Sequence, residues 1–443
     1  MFSDTIAAIS TALNEQAISV IRISGDKAIE IVSGLTRKDF HAIPSHQVTY
    51  TFIQDPHTQE TLDECLVFVM KAPRSYTAED VAEIHCHGGI YITKRILAAV
   101  LEAGARLARP GEFTQRAMLN GRIDLTQAEA IQDMIEADSY QSAKMAVSGI
   151  RGSLRKQIEP LLEELLGIIA NIEVNIDYPE YDDVEQLTRN KVLPLCEVWE
   201  TKLQKLLKDA DSGRQMKEGV KTVIIGKPNV GKSSLLNALL EEDKAIVTEI
   251  PGTTRDLVEG TIRLKNVTLH LIDTAGIRET GDFIEKIGIE KSKKAMEEAE
   301  LILLVLDASR TIDEEDELLL NLSDPTKRII VYNKTDLTSP NSGIEVSAMK
   351  GEIEPLIQAI NDRYELHQRV LSEGALVNQR TIGLAYQSLH AMQSAKQALI
   401  DGMPLDLVTI DLQDSFLRLT EILHPVVKDF LLDELFSRFC LGK

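Results

Sequence analysis

The sequence predicts a multidomain protein with an N-terminal α+β domain, an all-α helical domain, and an inserted α/β domain whose doubly wound sheet is mostly parallel. Three observations support this prediction. The 443 residues are more than one ordinary hydrophobic core covers. Helical periodicity is present both before and after a block of alternating strands and helices. A glycine-rich loop follows the first strand of that block, as in P-loop domains.

Short apolar runs alternate with helical stretches along residues 1–118. Residues 17–23 and 65–70 are apolar runs that predict strands, and residues 90–103 have the spacing of a helix. This mixture predicts an α+β domain over the segment.

Long helices dominate residues 119–215 and return in residues 373–443. The first of these segments carries apolar residues at helical spacing, namely Ile158, Leu161, Leu162, Leu165, Leu166 and Ile169. Such a stripe is typical of bundle helices, so the two segments are predicted to be the halves of one helical domain. Asp211-Ser212-Gly213 predicts a hinge near the end of the first half.

Residues 216–372 change to a pattern of strands, loops and helices. Apolar runs predict strands at residues 220–225, 268–272, 301–306 and 328–332. The helical segments between these runs predict a parallel sheet that is covered on both faces. Because helical sequence precedes and follows this block, we expect it to be an insertion, which close termini make tolerable.

The composition excludes some classes of protein. A formal charge of −21 argues against a protein that coats nucleic acid non-specifically, because phosphate binding needs clustered Lys and Arg. No segment reaches the roughly 20 uninterrupted apolar residues of a membrane span. Residues 1–5 show no features of a secretory signal, so a cytoplasmic location is predicted. The four cysteines lack the paired spacing of a zinc site and predict free thiols.

The glycine-rich loop predicts a nucleotide site. Gly226-Lys227-Pro228-Asn229-Val230-Gly231-Lys232-Ser233 matches the phosphate-loop pattern and lies between a predicted strand and a predicted helix. Backbone amides and the helix N-terminus would surround the phosphates. Lys232 would place a positive charge at the β and γ phosphates, and the Ser233 hydroxyl would bind Mg²⁺.

Three further motifs follow later strands and predict guanine as the base. Asp273-Thr274-Ala275-Gly276 would lie near Mg²⁺ and the γ phosphate. In Asn333-Lys334-Thr335-Asp336, the Asp336 carboxylate can accept from N1–H and the exocyclic N2 of guanine, whereas adenine offers neither donor there. Ser347-Ala348 can present an amide to guanine O6. The inserted block is therefore predicted to be a Ras-like GTPase domain.

Two details separate this GTPase site from the Ras-like majority. Ile277 and its neighbours offer no glutamine to orient water, so Glu285 or Glu279 is the candidate for that role. Asn229 and the long switch segment that follows could hold a monovalent cation where other GTPases use an arginine finger. Arg278 is kept among the catalytic candidates as a switch-stabilising residue.

At these motifs, and at several outside them, the chain resembles the MnmE (TrmE) family of tRNA modification GTPases. Residues 74–89, with Ser75-Tyr76-Thr77-Ala78-Glu79-Asp80, are similar to the family's Ser-Tyr-Thr-Gly-Glu-Asp segment. Residues 109–117 and 120–125 resemble its domain junction. Cys440-Leu441-Gly442-Lys443 is similar to the family's C-terminal Cys-Ile-Gly-Lys, and the resemblance extends along the whole chain.

The resemblance implies a homodimer formed by a folate-binding N-terminal domain, and a flavoprotein partner, MnmG, that acts with the chain on the wobble uridine of tRNA. It implies that Glu285 orients the attacking water through a bridging water, and that the helical domain ends in the tail that carries Cys440, which is a further catalytic candidate. It assigns a formyl-tetrahydrofolate-type cofactor to Arg22, Glu83, Arg122 and Lys443. It places Mg²⁺ on Ser233 and Thr254, and K⁺ on Asn229, Thr248, Ile250 and Thr253. The predicted GTP and GDP contacts are Asn229, Val230, Gly231, Lys232, Ser233, Ser234, Thr248, Glu249, Ile250, Pro251, Gly252, Thr253, Thr254, Asp273, Thr274, Ala275, Gly276, Asn333, Lys334, Thr335, Asp336, Ser347 and Ala348.

Two other functions are compatible with a GTPase domain in a larger chain. A ribosome-assembly or signalling GTPase would share the nucleotide motifs, but it would usually present a basic RNA-binding surface, which the acidic composition disfavours. A folate-dependent one-carbon transferase with a regulatory GTPase domain would turn over without a flavoprotein.

Overall fold

The computed structural model describes residues 4–137, 140–177, 189–241, 260–272, 293–338, 343–365, 376, 378–425, 436 and 442. The chain divides into two compact units. The first comprises Met1–Ile135 and Thr420–Lys443, and the second comprises Glu136–Leu419.

The first unit is built on a six-stranded sheet with the strand order β3-β4-β5-β2-β1-β6. Strands β1 and β6 pair in parallel, and the other neighbours are antiparallel. The strands are β1 (Ile6–Ile9), β2 (Gln16–Ser24), β3 (Gln47–Gln54), β4 (Thr61–Met70), β5 (Val81–Gly88) and β6 (Arg106–Leu107). The helices are α1 (Ala28–Thr36), α2 (Ile90–Glu102), α3 (Glu112–Leu119) and α4 (Leu125–Glu136).

The two faces of this sheet differ because side chains alternate along each strand. One face packs against α1 and α2 in a core that includes Ile21, Val67 and Ile84. The other face carries large apolar side chains that remain exposed on β2, β3 and β4: Ile18, Val48, Tyr50, Phe52 and Leu66. The predicted α+β character of the segment agrees with this arrangement.

A buried ion-pair cluster holds α3 beside the start of the chain. Arg116 is fully buried and pairs with Asp4 at 2.7 Å, with Glu79 at 3.2 Å and with Glu112 at 3.2 Å. Ser24 donates to Glu79 at 2.7 Å. Since a buried charge is costly without partners, this cluster fixes the loop before β5 in one position.

The second unit contains a helical part. Its helices are α5 (Tyr140–Ile150), α6 (Ser153–Asp177), α7 (Arg189–Glu218), α11 (Gln379–Ile400) and α12 (Leu405–Leu423). The buried Trp199 of α7 donates from its indole nitrogen to the Leu161 carbonyl of α6 at 2.8 Å. Glu200 of α7 accepts from Gln393 of α11 at 2.9 Å and also bonds Lys396. These contacts join helical segments that lie before and after the inserted block of residues 216–372.

The hinge predicted at Asp211-Ser212-Gly213 is wrong. Helix α7 continues through these residues to Glu218 and ends directly before the first strand of the next sheet. A glycine inside a helix costs only about 1 kcal/mol relative to alanine, so a long helix that is packed elsewhere tolerates it.

The second sheet lies in the same unit and has the strand order β12-β11-β10-β7-β9-β8. All its pairs are parallel except β8 with β9. The strands are β7 (Val220–Ile225), β8 (Gly260–Arg263), β9 (Thr268–Leu271), β10 (Leu301–Asp307), β11 (Arg328–Asn333) and β12 (Ile344–Glu345), and the helices are α8 (Lys232–Glu241), α9 (Glu314–Leu322) and α10 (Glu354–Glu365). The predicted strands of this block agree with these limits to within one residue.

Strand β10 lies between β7 and β11, and its residues 301–306 are all buried. Such continuous burial is expected for a central strand of a sheet that is covered on both faces. Because β7, β10, β11 and β12 run in parallel, the loops that follow them all leave at the same edge. None of the described helices has the length and apolar character of a membrane span.

Candidate functional site

The phosphate loop connects β7 to α8 through two glycines with positive φ. Gly226 has φ of +152°, and a Cβ there would lie 2.4 Å from the Val305 carbonyl oxygen. Gly231 has φ of +96°, and a Cβ there would lie 2.1 Å from Asn333 Nδ2. Both positions therefore require glycine for conformation and for space. This backbone path leaves a cradle of the kind that phosphate groups occupy at a helix N-terminus.

Lys232 is the first residue of α8, and its side chain turns back over the loop. Its Nζ donates to the Gly226 carbonyl at 2.8 Å and to the Lys227 carbonyl at 2.7 Å. Burial lowers the pKa of the Lys232 ammonium from its usual value. The two carbonyl dipoles stabilise this ammonium only in part. A phosphate beside it would add a full negative charge and would stabilise it further.

Asn333, at the end of β11, links the phosphate loop to the segment predicted to bind the base. Its Nδ2 donates to the Val230 carbonyl at 2.8 Å, and its Oδ1 accepts from the Ala348 amide at 3.0 Å. The side chain is 2% exposed. Because both ends of the amide are bonded in a buried position, Asn333 fixes the distance between the two segments.

Asp336 lies three residues further on and is exposed. Its Oδ1 accepts from the Ser347 hydroxyl at 3.0 Å, which orients the carboxylate. Thr335 supports the same turn by donating from its hydroxyl to the Val346 carbonyl at 2.9 Å. An exposed carboxylate that is oriented in this way is suited to accept hydrogen bonds from the N–H groups of a guanine.

Lys334 belongs to the same turn. Its backbone lies in the left-handed region, with φ of +67°. Its Nζ bonds Asp307 Oδ2 at 2.7 Å, at the end of the neighbouring strand β10. Burial alone would raise the pKa of the Asp307 carboxyl, but hydrogen bonds from Lys334 and Ser309 outweigh it and hold the pKa well below its usual value. This pair joins the ends of two adjacent strands.

The remaining residues predicted in the phosphate loop differ in exposure. Val230 is buried, whereas Asn229, Ser233 and Ser234 are exposed. Asn229 has φ of +62°, which is uncommon for a residue other than glycine. Its amide side chain is exposed, and the carbonyl of the next residue, Val230, is held by Asn333.

A contact of Lys227 was not predicted from the sequence. Its Nζ bonds Asp313 and lies 3.6 Å from Glu315 and 3.7 Å from Asp316, all at the start of α9. Asp313 is also the N-cap of α9 and accepts from the Glu315 and Asp316 amides at 3.2 Å. Lys227 therefore anchors the second residue of the phosphate loop to a helix 86 positions later in sequence.

Many of the predicted residues lie outside the described part of the chain. These are the catalytic candidates Glu285, Arg278 and Cys440, the alternative Glu279, and Lys443. The same holds for Thr248, Glu249, Ile250, Pro251, Gly252, Thr253, Thr254, Asp273, Thr274, Ala275 and Gly276. Their roles remain predictions.

In the first unit, three residues that the family resemblance assigns to folate come together around Tyr76. Arg22 and Glu83 are cross-strand neighbours on β2 and β5, and Arg22 Nε bonds Glu83 Oε1 at 2.8 Å. The guanidinium carbon of Arg22 lies 5.2 Å from the centre of the Tyr76 ring. Arg122 has its guanidinium carbon 5.0 Å from the same ring and donates to the Tyr76 carbonyl at 2.9 Å.

A segment near the end of the chain joins this group. Gly442 has φ of +91°, and its carbonyl accepts from Arg22 Nη1 at 3.1 Å and from the Ser10 hydroxyl at 3.1 Å. A Cβ at Gly442 would lie 2.6 Å from the Ile9 carbonyl oxygen, so only glycine fits. Tyr76, which lies between two guanidinium groups, was not singled out from the sequence, although it stands in the quoted 74–89 segment.

Comparisons with known proteins agree with this architecture. A family model described as the MnmE helical domain matches residues 125–440, and a model described as the GTP-binding protein TrmE N-terminus matches residues 5–122. The tRNA modification GTPase MnmE of Streptococcus agalactiae is 47% identical, over 99% of this chain and 98% of its own length. That of Streptococcus suis is 47% identical, over 99% of both chains.

Among solved structures, the G domain of the T. maritima FeoB iron transporter aligns with 33% of this chain and 98% of its own, at 26% identity and a TM-score of 0.25. The two family models together span nearly the whole sequence, and the relatives match it from end to end. The chain therefore belongs to the MnmE family of tRNA modification GTPases.

Proposed function

We propose that this GTPase is stimulated by potassium and acts with a flavoprotein partner of the MnmG type. In this proposal the two proteins add a carboxymethylaminomethyl or aminomethyl group to C5 of the wobble uridine of certain tRNAs. The observation that carries the nucleotide part is the buried Asn333 side chain, which holds the phosphate loop and the Ser347-Ala348 segment at a fixed separation.

Within this site, the phosphate loop and Lys232 hold the β and γ phosphates of GTP, and Asp336 selects the guanine base. Ser233 lies at the exposed side of the loop, where its hydroxyl is suited to Mg²⁺ together with Thr254. The metal supplies charge neutralisation between the phosphates when it is bound. Glu285 would orient the attacking water, and Arg278 would stabilise the switch segment.

Asn229 is the described member of the predicted potassium site. Its side chain is exposed in the phosphate loop, and an amide oxygen is a ligand atom of the type that a monovalent cation takes. Thr248, Ile250 and Thr253 would complete the set. A cation there would offset the charge that develops during phosphoryl transfer.

The test of the cation is GTP turnover in KCl compared with NaCl at equal ionic strength. We expect much faster turnover in KCl, and Asn229→Ala should remove most of that difference. Glu285→Ala should depress hydrolysis and leave GTP affinity nearly intact. Equal rates in both salts would contradict the cation proposal, and a loss of GTP binding in Glu285→Ala would contradict the role given to that carboxylate.

The proposed folate site rests on the group around Tyr76. Arg22, Glu83 and Arg122 offer two cations and one anion beside an aromatic ring, which suits a flat heterocycle with amide-like edges and a carboxylate tail. Lys443 would add a further cation. Titration with 5-formyltetrahydrofolate should give weaker binding for Arg22→Gln than for Arg37→Gln, a substitution at the C-terminal end of α1, which packs on the other face of the sheet. Equal affinities would remove this assignment.

The proposed homodimer rests on the uncovered face of the first sheet. Val48 is 57% exposed, and Tyr50, Phe52 and Leu66 are exposed beside it on two paired strands. A contiguous apolar face of this kind usually marks an interface. Sedimentation of the full chain should show a dimer that Phe52→Glu with Leu66→Glu weakens, whereas Tyr91→Glu on α2 does not. A monomer in the wild type would contradict the proposal.

The complete function is tested in cells that lack the chain. Mass spectrometry of tRNA nucleosides should show wobble uridine without the C5 group, and the wild-type chain should restore it. Restoration by an Asp336→Asn variant with the same efficiency would contradict a need for guanine nucleotide.

A further inference from the structure

The corner between α5 and α6 has an unusual charge for this protein. Residues 140–158 contain four basic side chains and no acidic one, in a chain whose formal charge is −21. All four basic residues, Lys144, Arg151, Arg155 and Lys156, are exposed. We call these residues, together with Tyr140, the basic corner.

Three members of the basic corner share one helix face. Tyr140, Lys144 and Arg151 are separated by four and seven positions, which places them within about 40° of one another around a helix. The Arg151 amide donates to the Val147 carbonyl at 3.1 Å, so the helical turn extends to that residue. Tyr140 is 73% exposed and therefore presents its ring on the same face.

The start of α6 adds to this charge. Lys156 lies in its first turn, and the N-terminus of a 25-residue helix carries positive potential from its backbone amides. Arg155 bonds Glu159 at 2.6 Å, so its charge is paired with a carboxylate of the same helix. Lys144, Arg151 and Lys156 remain as the cations that a ligand would meet.

The spacing indicates a polymer of phosphates as the ligand. Lys144 and Arg151 lie about 10 Å apart along the helix axis, so the cations are spread over a length that suits several phosphate groups of one backbone better than a single phosphate. An exposed tyrosine on the same helix face as cations suits a base that stacks on it, as in surfaces that bind single-stranded RNA. An acidic protein surface could pair with the cations, but it would give the Tyr140 ring no specific partner.

We propose that the basic corner binds the phosphate backbone of the tRNA substrate and that Tyr140 stacks on an unpaired base. This inference rests on the proposed function, because the RNA ligand follows from it. It also explains how a strongly acidic chain can hold RNA: the contact is confined to one helical corner whose local charge is reversed.

The test compares two triple variants of the full chain that lose the same charge. Lys144→Gln, Arg151→Gln and Lys156→Gln change the basic corner. Lys94→Gln, Lys265→Gln and Lys293→Gln remove three exposed lysines elsewhere. Binding of a labelled, unmodified tRNA transcript is measured by fluorescence anisotropy over a series of salt concentrations, and basal GTP turnover serves as the control for folding.

The basic-corner variant should bind the transcript about tenfold to a hundredfold more weakly, and its slope of log affinity against log salt should fall by about 2 to 3. The control triple should change neither quantity. Tyr140→Ala should weaken binding about fivefold or more with the salt slope unchanged, because stacking releases no counterions. Basal GTP turnover should stay at the wild-type rate in all these variants.

Equal affinity and equal slope for the two triple variants would overturn the inference. Loss of flavoprotein binding with tRNA affinity unchanged would also overturn it and would assign the basic corner to a protein partner. Failure of the wild-type chain to bind any tRNA, alone or with the flavoprotein, is a separate result that would overturn the proposed function and the inference with it.

Discussion

The side-chain amide of Asn333 donates to the Val230 carbonyl at 2.8 Å, across a sequence separation of 103 residues. The same side chain accepts from Ala348 at its other end. The phosphate loop and the base-binding segment are thus held by one buried group whose two bonding directions are both used. The separation between the phosphate loop and the base-binding segment is therefore fixed before a nucleotide binds across them.

Replacing Asn333 with alanine should weaken binding of both GTP and GDP. Two buried backbone groups would lose their partner, at about 1 to 3 kcal/mol each, and we expect affinity to fall by about tenfold or more. Calorimetric titration measures the effect. Asn237→Ala, on the exposed side of α8, is the matched control and should bind normally. An unchanged dissociation constant in Asn333→Ala would show that the link is dispensable.

Removing the charge of Lys227 should speed the release of GDP. Lys227→Met leaves the loop without its anchor on α9, and release should rise by a few-fold because an ion pair whose acidic partner is about half exposed contributes little. Asp313→Asn should give a similar change, since asparagine keeps the helix N-cap and removes only the charge. Stopped-flow fluorescence of a labelled GDP measures the rate. If Lys227→Met is fast and Asp313→Asn is normal, the ion pair is not the cause.

Changing Asp336 to asparagine should reverse the preference for the base. The asparagine amide would place a donor against the guanine N–H groups, while xanthine offers a carbonyl at that position. Loss of two bonds to a charged acceptor predicts about 100-fold weaker GTP binding or more. Turnover of GTP and of xanthosine triphosphate should be measured side by side. Retained selectivity for GTP would mean that another group reads the base.

The pairing of Glu200 with Lys396 predicts a dependence of stability on pH. Burial alone would raise the pKa of the Glu200 carboxyl, but hydrogen bonds from Lys396 and Gln393 hold it below its usual value of 4.5. A folded-state pKa that is depressed stabilises the fold at pH values above 4.5, and this contribution is lost as the pH falls through the depressed pKa.

Glu200→Gln should therefore lower the melting temperature by a few degrees at pH 7, equivalent to about 1 kcal/mol. The difference from the wild type should shrink as the pH falls below about 4.5. Glu197→Gln, an exposed position on the same helix, is the control and should show neither effect. Calorimetric scans at several pH values measure both variants. A difference that is constant with pH would exclude the ion pair as its source.

Much of the fold was predictable because local signals agree with the tertiary structure. The runs that became β7, β10 and β11 are continuously apolar and end at polar motifs, so their limits follow from the sequence to within one residue. The glycines of the phosphate loop were predictable for the same reason, since each has a backbone conformation that only glycine adopts easily.

The features that escaped prediction depend on contacts between distant residues. The bond between Lys227 and Asp313 requires that α9 begin beside the phosphate loop, which no local pattern indicates. Helix α7 gives the opposite case, in which a local signal was misleading. Residues 211–213 have the composition of a hinge, but the long helix continues through them. Tyr76 gained its position between Arg22 and Arg122 only through pairing of strands and the placement of the segment after α3.

The hydrogen bond between Arg22 and Gly442 joins residues that are 420 positions apart. During synthesis on the ribosome, the first sheet can pair its strands long before Gly442 has been translated. A nascent chain thus carries the Arg22 and Glu83 pair without its last contact, and that pocket reaches its final form only when translation has passed the whole nucleotide domain. The delay before the N-terminal site is complete therefore depends on how many residues are translated between Arg22 and Gly442.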